Sequence, residues 1–225
     1  MKRFILNSRQ SKEIDERLQV KFLLSVLVLM ENAGSALKDE LLKYLKPKDK
    51  VVFICGRGNN AGDGFVACRH LLGLGFKPEV FVLGKASDVK GEAKINLEIL
   101  ARFKQKIHEI NQNNLSFLRK RISTSNCIID ALFGTGLKNN IYGIAFDVVR
   151  LINDSGKFVL SVDVPSGLNG TTGEIMGISV CADRTVTFMA KKRGMLTKNG
   201  RVCCGEVIVK DIGFPFKLAK RKLWL

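Results

Sequence analysis

Apolar residues along this chain fall into two registers that take turns. Short unbroken runs, rich in β-branched and aromatic residues, read as buried strands. Between them apolar positions recur three and four residues apart, as on one face of a helix. The runs place strands at Val51–Cys55, Glu79–Leu83, Ile107–Glu109, Cys127–Asp130 and Phe158–Val162, with two more near Thr185–Phe188 and Glu206–Lys210. The helical spacing places two helices ahead of the first strand. Ser8 or Ser11 caps the first, which reaches about Val20; the second runs from about Ser25 to Leu45 and stops at Pro47. Further helices are predicted over Asp63–Leu74, Asp88–Phe103 with Ser87 as its cap, Asn114–Lys120 and Phe146–Ser155. Strands alternating with helices specify a three-layer α/β/α, Rossmann-like architecture, with a mostly parallel sheet and helices on both faces. The order shows no repeat and no linker, so residues 1–225 read as a single domain, with 216–225 a basic tail.

Composition narrows the class. The longest apolar patch, Phe22 to Met30, is interrupted by Ser25 and is too short to span a bilayer. It reads as a core helix. The N-terminus lacks a secretory pattern, and the six cysteines include no C-x-x-C spacing, with only two histidines beside them. Reduced thiols in a cytoplasm and no zinc site follow as the simplest reading. Cys55 and Cys127 read as small apolar fillers inside strands, and redox activity of the Cys203–Cys204 pair is the lesser reading. A net charge of +16 raises nucleic-acid binding as an option. The lysines are spread widely, however, and no arginine-rich stripe carries interleaved aromatics, so a lysine-rich proteome or attraction of an anionic substrate is the plainer reading.

Candidate chemistry sits at strand ends, where open parallel sheets bind ligands. The first strand runs into Gly56-Arg57-Gly58-Asn59-Asn60-Ala61-Gly62-Asp63-Gly64 and then a helix. Such a turn lets backbone N–H groups approach a ligand and aims a helix N-terminus at an anion. Two amides and a carboxylate exceed what tight geometry needs. Asp130 ends the fourth strand before the loop ALFGTGLKNN, and Asp163 ends the fifth before Val164-Pro165-Ser166-Gly167. Any one of these acids could simply cap a helix; three at one sheet edge read as a site. A redox dinucleotide fold is the weaker enzyme reading. Gly56, Gly58 and Ala61 fit its fingerprint, but Gly84 and Lys85 stand where it needs an acid.

Five motifs in order, LMENAG (Leu29–Gly34), CGRGNNAGDG (Cys55–Gly64), DALFGTG (Asp130–Gly136), DVPSG (Asp163–Gly167) and TFMAKKRG (Thr187–Gly194), resemble the YjeF N-terminal domain family of NAD(P)H-hydrate epimerases. The resemblance spans about Ser11 to Pro215. It implies an isomerase that interconverts the R and S epimers of NADHX and NADPHX, hydrated nicotinamide cofactors, so that a dehydratase can restore the S form. It carries over Asn59, Asn60, Ala61, Gly62 and Asp63 as the substrate turn. It carries over Gly134, Thr135, Gly136, Leu137, Lys138, Asn139 and Asn140 as a phosphate-side loop, and Asp163 as a substrate contact. It implies one potassium ion on Asn60, Asp130 and Ser166, all hard oxygen donors suited to a hard cation.

The implied chemistry is loss of hydroxide to a planar iminium and return of water on the other face, which needs a group that gives and takes a proton. Asp163 is the first candidate. Lys192 is the second, for charge or phosphate contact, against the plainer reading of a solvated basic loop. Ala61 replaces a glycine common in the family, and Arg57 and Arg193 stand where proline is common. Homodimers are common in the family, and the apolar face around Phe22–Met30 could supply the contact, although core packing serves it equally. Many relatives fuse this unit to an ADP- or ATP-dependent dehydratase, so the chain reads either as a stand-alone epimerase or as part of a two-domain repair enzyme. A binding scaffold of the same fold, as in RNA-decapping relatives, is the non-enzymatic alternative; the intact Asn60, Asp130 and Asp163 argue against it.

Overall fold

A computed structural model describes residues 4–213 of the chain; the basic tail predicted at 216–225 lies outside the described residues. The elements, in order, are β1 (Ile5–Leu6), α1 (Ser8–Phe22), α2 (Val26–Leu41), β2 (Val51–Cys55), α3 (Asn59–Gly73), β3 (Glu79–Leu83), α4 (Gly91–Arg102), β4 (Ile107–Ile110), α5 (Leu115–Ser123), β5 (Cys127–Ala131), α6 (Ile144–Asn153), β6 (Phe158–Val162), β7 (Arg184–Phe188), β8 (Lys191–Lys192), α7 (Lys198–Cys204) and β9 (Glu206–Lys210). Seven strands form one sheet in the order β4-β3-β2-β5-β6-β7-β9, and every neighbouring pair is parallel. The two-residue strands β1 and β8 pair separately, Ile5 with Lys191 and Leu6 with Lys192.

Alternation within each strand divides the core. Val51, Phe53 and Cys55 of β2 pack beneath α1 to α4, in one cluster with Leu18, Leu37, Phe65 and Leu100. Val52 and Ile54 face the other way, toward Leu118 and Ile122 of α5 and Val148 and Ile152 of α6. This is the doubly covered sheet that near-continuous apolar strands require. Cys55 and Cys127 are buried fillers, as read from sequence, and all six cysteines are free. Burial pushes the Cys204 thiol up to about 12, which opposes a reactive thiolate. Among the described residues no group of side chains has the makings of a His/Cys/Asp/Glu metal site, and no helix is long and apolar enough to cross a membrane.

Several boundaries move, each for a local reason. Asn7 caps α1, not Ser8 or Ser11: its side chain accepts from the Gln10 N–H while Gln10 reaches back to the Asn7 N–H. The patch Phe22–Met30 is not one core helix. Leu23 takes a left-handed conformation that ends α1, Ser25 caps α2, and the junction leaves Leu23 87% exposed. Ser87 caps nothing, because Val89 and Lys90 are extended and Gly91 has a positive φ; α4 therefore begins only at Gly91. α2 ends at Leu41 rather than Leu45. α3 begins at Asn59, four residues before the predicted start, so the glycine turn is itself the first helical turn.

Candidate functional site

The sheet order reverses between β2 and β5, and ligand sites in such sheets lie at that reversal. Here the two strand ends are locked together. The Gly56 N–H donates to Ala131 O (2.9 Å), and a Cβ on Gly56 would fall 1.9 Å from Leu132 O, so only glycine fits. α3 leaves from this junction with Gly58 extended and no side-chain cap. Among the described residues the N–H groups of Asn59 and Asn60, at its start, therefore remain available to an anion. Asn60 points inward: both its amide nitrogen and oxygen are buried without a partner among the described residues. Gly134, on the β5 loop, lies so close that a Cβ there would be 3.2 Å from Asn60 Oδ1.

Beside that amide lies a carboxylate enclosed by hydroxyls. Asp130 is fully buried. Its oxygens accept from Ser161 Oγ (2.8 Å), the Ser166 N–H (2.9 Å), Ser166 Oγ (2.5 Å) and the Leu132 N–H (3.3 Å). Ser161 stands directly across the β5–β6 register from Asp130. Burial pushes the Asp130 carboxyl up, and these hydrogen bonds hold it back. Ser166 Oγ also accepts from the Phe133 N–H (2.8 Å) and lies 3.1 Å from Phe133 O. Among the described residues no Lys, Arg or His pairs with Asp130.

A second group forms at the end of β6. Asp163 adopts φ +62°, a left-handed conformation uncommon outside glycine, asparagine and aspartate. Its N–H donates to Val186 O (2.7 Å). Lys192, only 2% exposed, donates to Asp163 Oδ1, to Thr187 Oγ1 (2.9 Å) and to Phe188 O (3.1 Å). Thr187 Oγ1 in turn donates to Asp163 Oδ1 (3.1 Å). The solvated-loop reading of Lys192 is thereby overturned. The chain turns at β8 so that Lys192 enters the protein, while Arg193 stays outside and its Nε donates to Thr171 O (3.1 Å). Asp63 and Asp15 share this field. Burial first, then the charges of Asp163 and Asp15, push the Asp63 carboxyl well up, against the pull of Lys192. Burial and the charge of Asp163 raise Asp15 to about 6, again opposed by Lys192. The three acids read together from sequence thus divide: Asp130 joins Ser166, whereas Asp63 and Asp163 join Lys192.

The other predicted residues lie around these groups. Asn59 is exposed on the first turn of α3. Ala61 and Gly62 turn inward, Ala61 wholly buried and Gly62 so close to Met30 that a Cβ would be 2.4 Å from its Sδ. Both N–H groups bond Gly58 O, so neither offers a free donor. Residues 134–140 form the loop between β5 and α6. Gly136, Lys138, Asn139 and Asn140 are exposed there, Gly134 and Thr135 are half-buried, and Leu137 packs on the core under α6. Arg57 pairs with Asp88 (3.2 Å) at the surface.

Comparison with known proteins decides the family. The model of the YjeF-related protein N-terminus matches residues 26–194. The chain belongs to that family. Among YjeF-related relatives, a bifunctional NAD(P)H-hydrate repair enzyme of Thermofilum pendens is 36% identical over 204 residues, 91% of this chain and 39% of its own length. The NAD(P)H-hydrate epimerase of Rhodopirellula baltica is 32% identical over 216 residues, 96% of this chain and 87% of its own. The chain spans about two fifths of the length of the bifunctional relatives it matches. A crystal structure of yeast ynu0 (YNL200c) superposes with a TM-score of 0.76 at 24% identity over 94% of both chains, which fixes the fold.

The YjeF-related motifs now have physical jobs. In LMENAG, Glu31 accepts from Arg69 and contacts His70 Nε2 (2.8 Å), and a Cβ on Gly34 would lie 2.4 Å from Val66. This motif docks α2 on α3. Sequence reading assigned no role to Ser161, Thr187 or Asp15. Thr187 lay inside a quoted motif, and Ser161 is a polar residue within an apolar strand. Asp15 had a subtler signal, a carboxylate on the stripe of Ser11, Ile14 and Leu18, all buried.

Proposed function

We propose that this domain epimerises R- and S-NAD(P)HX, the reaction for which its relatives in Rhodopirellula baltica and Limosilactobacillus fermentum are named. The observation that carries the reading is the adjacency of two oxygen-rich groups at one sheet edge: Asp130 with Ser166 beside the unpartnered Asn60 amide, and Asp163 with its buried Lys192. A dinucleotide presents phosphates and a reactive ring, and both halves have a counterpart. The open first turn of α3 and the exposed loop 134–140 suit the phosphates. Asp163 suits the ring, where a hydroxyl must leave and water must return. Lys192 and Thr187 fix the carboxylate, so it meets the substrate in one orientation.

A potassium ion fits the first group. Among the described residues Asn60 Oδ1 is buried and unbonded, Asp130 is a buried acid with no paired cation, and Ser166 adds a hydroxyl. Amide, carboxylate and hydroxyl oxygens suit a hard cation. Asn60, Asp130 and Ser166 would hold such an ion, which would supply a positive charge beside the buried Asp130 carboxylate. The dehydrogenase alternative gains no support, because Gly84 and Lys85 follow β3 where a ribose-binding acid would stand.

The partner implied is an ADP- or ATP-dependent dehydratase that consumes the S epimer, acting on the same or a separate chain. Five buried thiols among six free cysteines suit a reducing cytoplasm. A homodimer is proposed through the exposed apolar junction of α1 and α2, where Val20 is 80%, Leu23 87% and Val28 47% exposed. The test of the function is chromatography that resolves the two epimers, with the spontaneous rate subtracted. Acceleration by the protein is expected; a folded, potassium-loaded sample that gives none removes the reading.

A further inference from the structure

The cluster around Lys192 holds more acid than the reaction has so far been given. Asp15, Asp63 and Asp163 come from α1, α3 and the end of β6, and they face one ammonium. Asp163 Oδ1 is occupied by Lys192 and Thr187. Asp15 is different. It lies four residues past the buried Ser11, on the same stripe as Ile14 and Leu18, so α1 presents it to the interior rather than to solvent. Yet its carboxylate accepts no hydrogen bond among the described residues, and it keeps partial exposure. One turn earlier Ser11 is 5% exposed, and its Oγ is buried without a partner. An unbonded hydroxyl and an unbonded carboxylate on one stripe, the carboxylate within the field of Asp163 and Lys192, are groups left for a ligand or its water.

The placement is built in. Leu6 pairs with Lys192 across β1 and β8, Asn7 caps α1 immediately after, and the Ser8 N–H donates to Thr171 Oγ1 (3.0 Å) on the loop that follows Ser166. The start of α1 is therefore fixed to both the lysine strand and the loop beyond Asp163.

We propose that Asp15 is a second proton-transfer residue of the epimerase, serving one face of the nicotinamide ring while Asp163 serves the other. This rests on the epimerase reading. In one direction the Asp15 carboxyl gives its proton to the departing hydroxyl. The C–O bond breaks, water leaves, and the ring nitrogen's electron pair forms the iminium. Water adds to the opposite face, its oxygen bonding the carbon as the iminium electrons return to nitrogen, and the Asp163 carboxylate takes the released proton. The reverse direction exchanges the roles, and no further reactant is required. The groups facing Asp15 are Asp63, Asp163 and Lys192, with Glu16 beside it on α1. Burial first, then the charge of Asp163 and more weakly that of Glu16, favour the protonated form, and Lys192 opposes them. Asp15 is thereby poised at about 6, where both forms are populated near neutrality. Burial, with the charges of Asp163 and Asp15, pushes the Asp63 carboxyl well up as well.

Two measurements test this. In the pH–rate profile, Asp15→Asn is expected to lose on the order of 10²-fold or more in kcat with KM little changed, and to lose the limb near pH 6; Asp15→Glu should restore part of the rate. Carbon-13 NMR of the wild-type aspartate carboxyls needs no variant and no turnover, and is expected to show Asp15 titrating near 6. An active wild-type protein whose Asp15→Asn variant keeps its rate and profile overturns this inference alone, as does an Asp15 midpoint near the ordinary value of about 4. A folded wild-type protein that does not epimerise removes both this and the function on which it rests.

Discussion

Asp163 shows how much depends on single residues. Its left-handed backbone is a conformation that asparagine also tolerates. Asp163→Asn is therefore expected to fold normally, yet to lose on the order of 10²- to 10⁴-fold in turnover, because the amide cannot take a proton. Unchanged turnover with an unchanged melting curve would remove Asp163 from the chemistry. Asp15 makes an opposite prediction for stability. Its folded-state value of about 6 exceeds its ordinary 3.8, so the folded state binds more protons between those values. Stability from this group is full below about pH 4 and is lost as pH rises through 6. Asp15→Asn should match wild type in denaturant titrations at acid pH and exceed it at neutral pH. Asn60, Asp130, Ser166 and Asp163 were legible in the sequence because strand ends and a glycine turn marked them. Asp15 was not, because an aspartate in a helix ordinarily reads as solvated, and only tertiary placement turns α1's stripe toward Lys192.

The same division holds for whole elements. Strands such as Val51–Cys55 and Phe158–Val162 were readable to the residue, since a five-residue, largely β-branched or aromatic apolar run suits a strand buried on both faces. β1 and β8 were not, because two residues carry no period and their pairing joins distant parts of the chain. Their importance exceeds their length, since they hold α1 against Lys192. The start of that helix depends on the reciprocal bonds between Asn7 and Gln10. Asn7→Ala is expected to cost about 1 kcal/mol in thermal or urea unfolding and to lower turnover without touching a reacting group. No change in either would show that α1 is held by other contacts. The Phe22–Met30 patch misled as a helix because its apolar run conceals a break, visible only in the left-handed Leu23 and the Ser25 cap.

For the whole molecule, a parallel doubly covered sheet followed from alternation alone, but the strand order that puts β2 beside β5 did not. That order brings the Gly56 turn and the Asp130 loop together, and β6 delivers Asp163 next to them. The exposed junction of α1 and α2 bears on assembly. Sedimentation is expected to find a dimer that Leu23→Lys converts to monomer; a monomeric wild-type chain would dispose of that contact. Asp130, with no cation partner among the described residues, is the feature that most directly links fold to function. The decisive measurement starts from the purified R epimer and follows its approach to the equilibrium mixture, in potassium buffer and in tetramethylammonium buffer of equal ionic strength. The account predicts acceleration over the spontaneous rate in potassium, a marked loss in tetramethylammonium, and no acceleration with Asp163→Asn in either. A folded wild-type protein that leaves the spontaneous rate unchanged in potassium would contradict it.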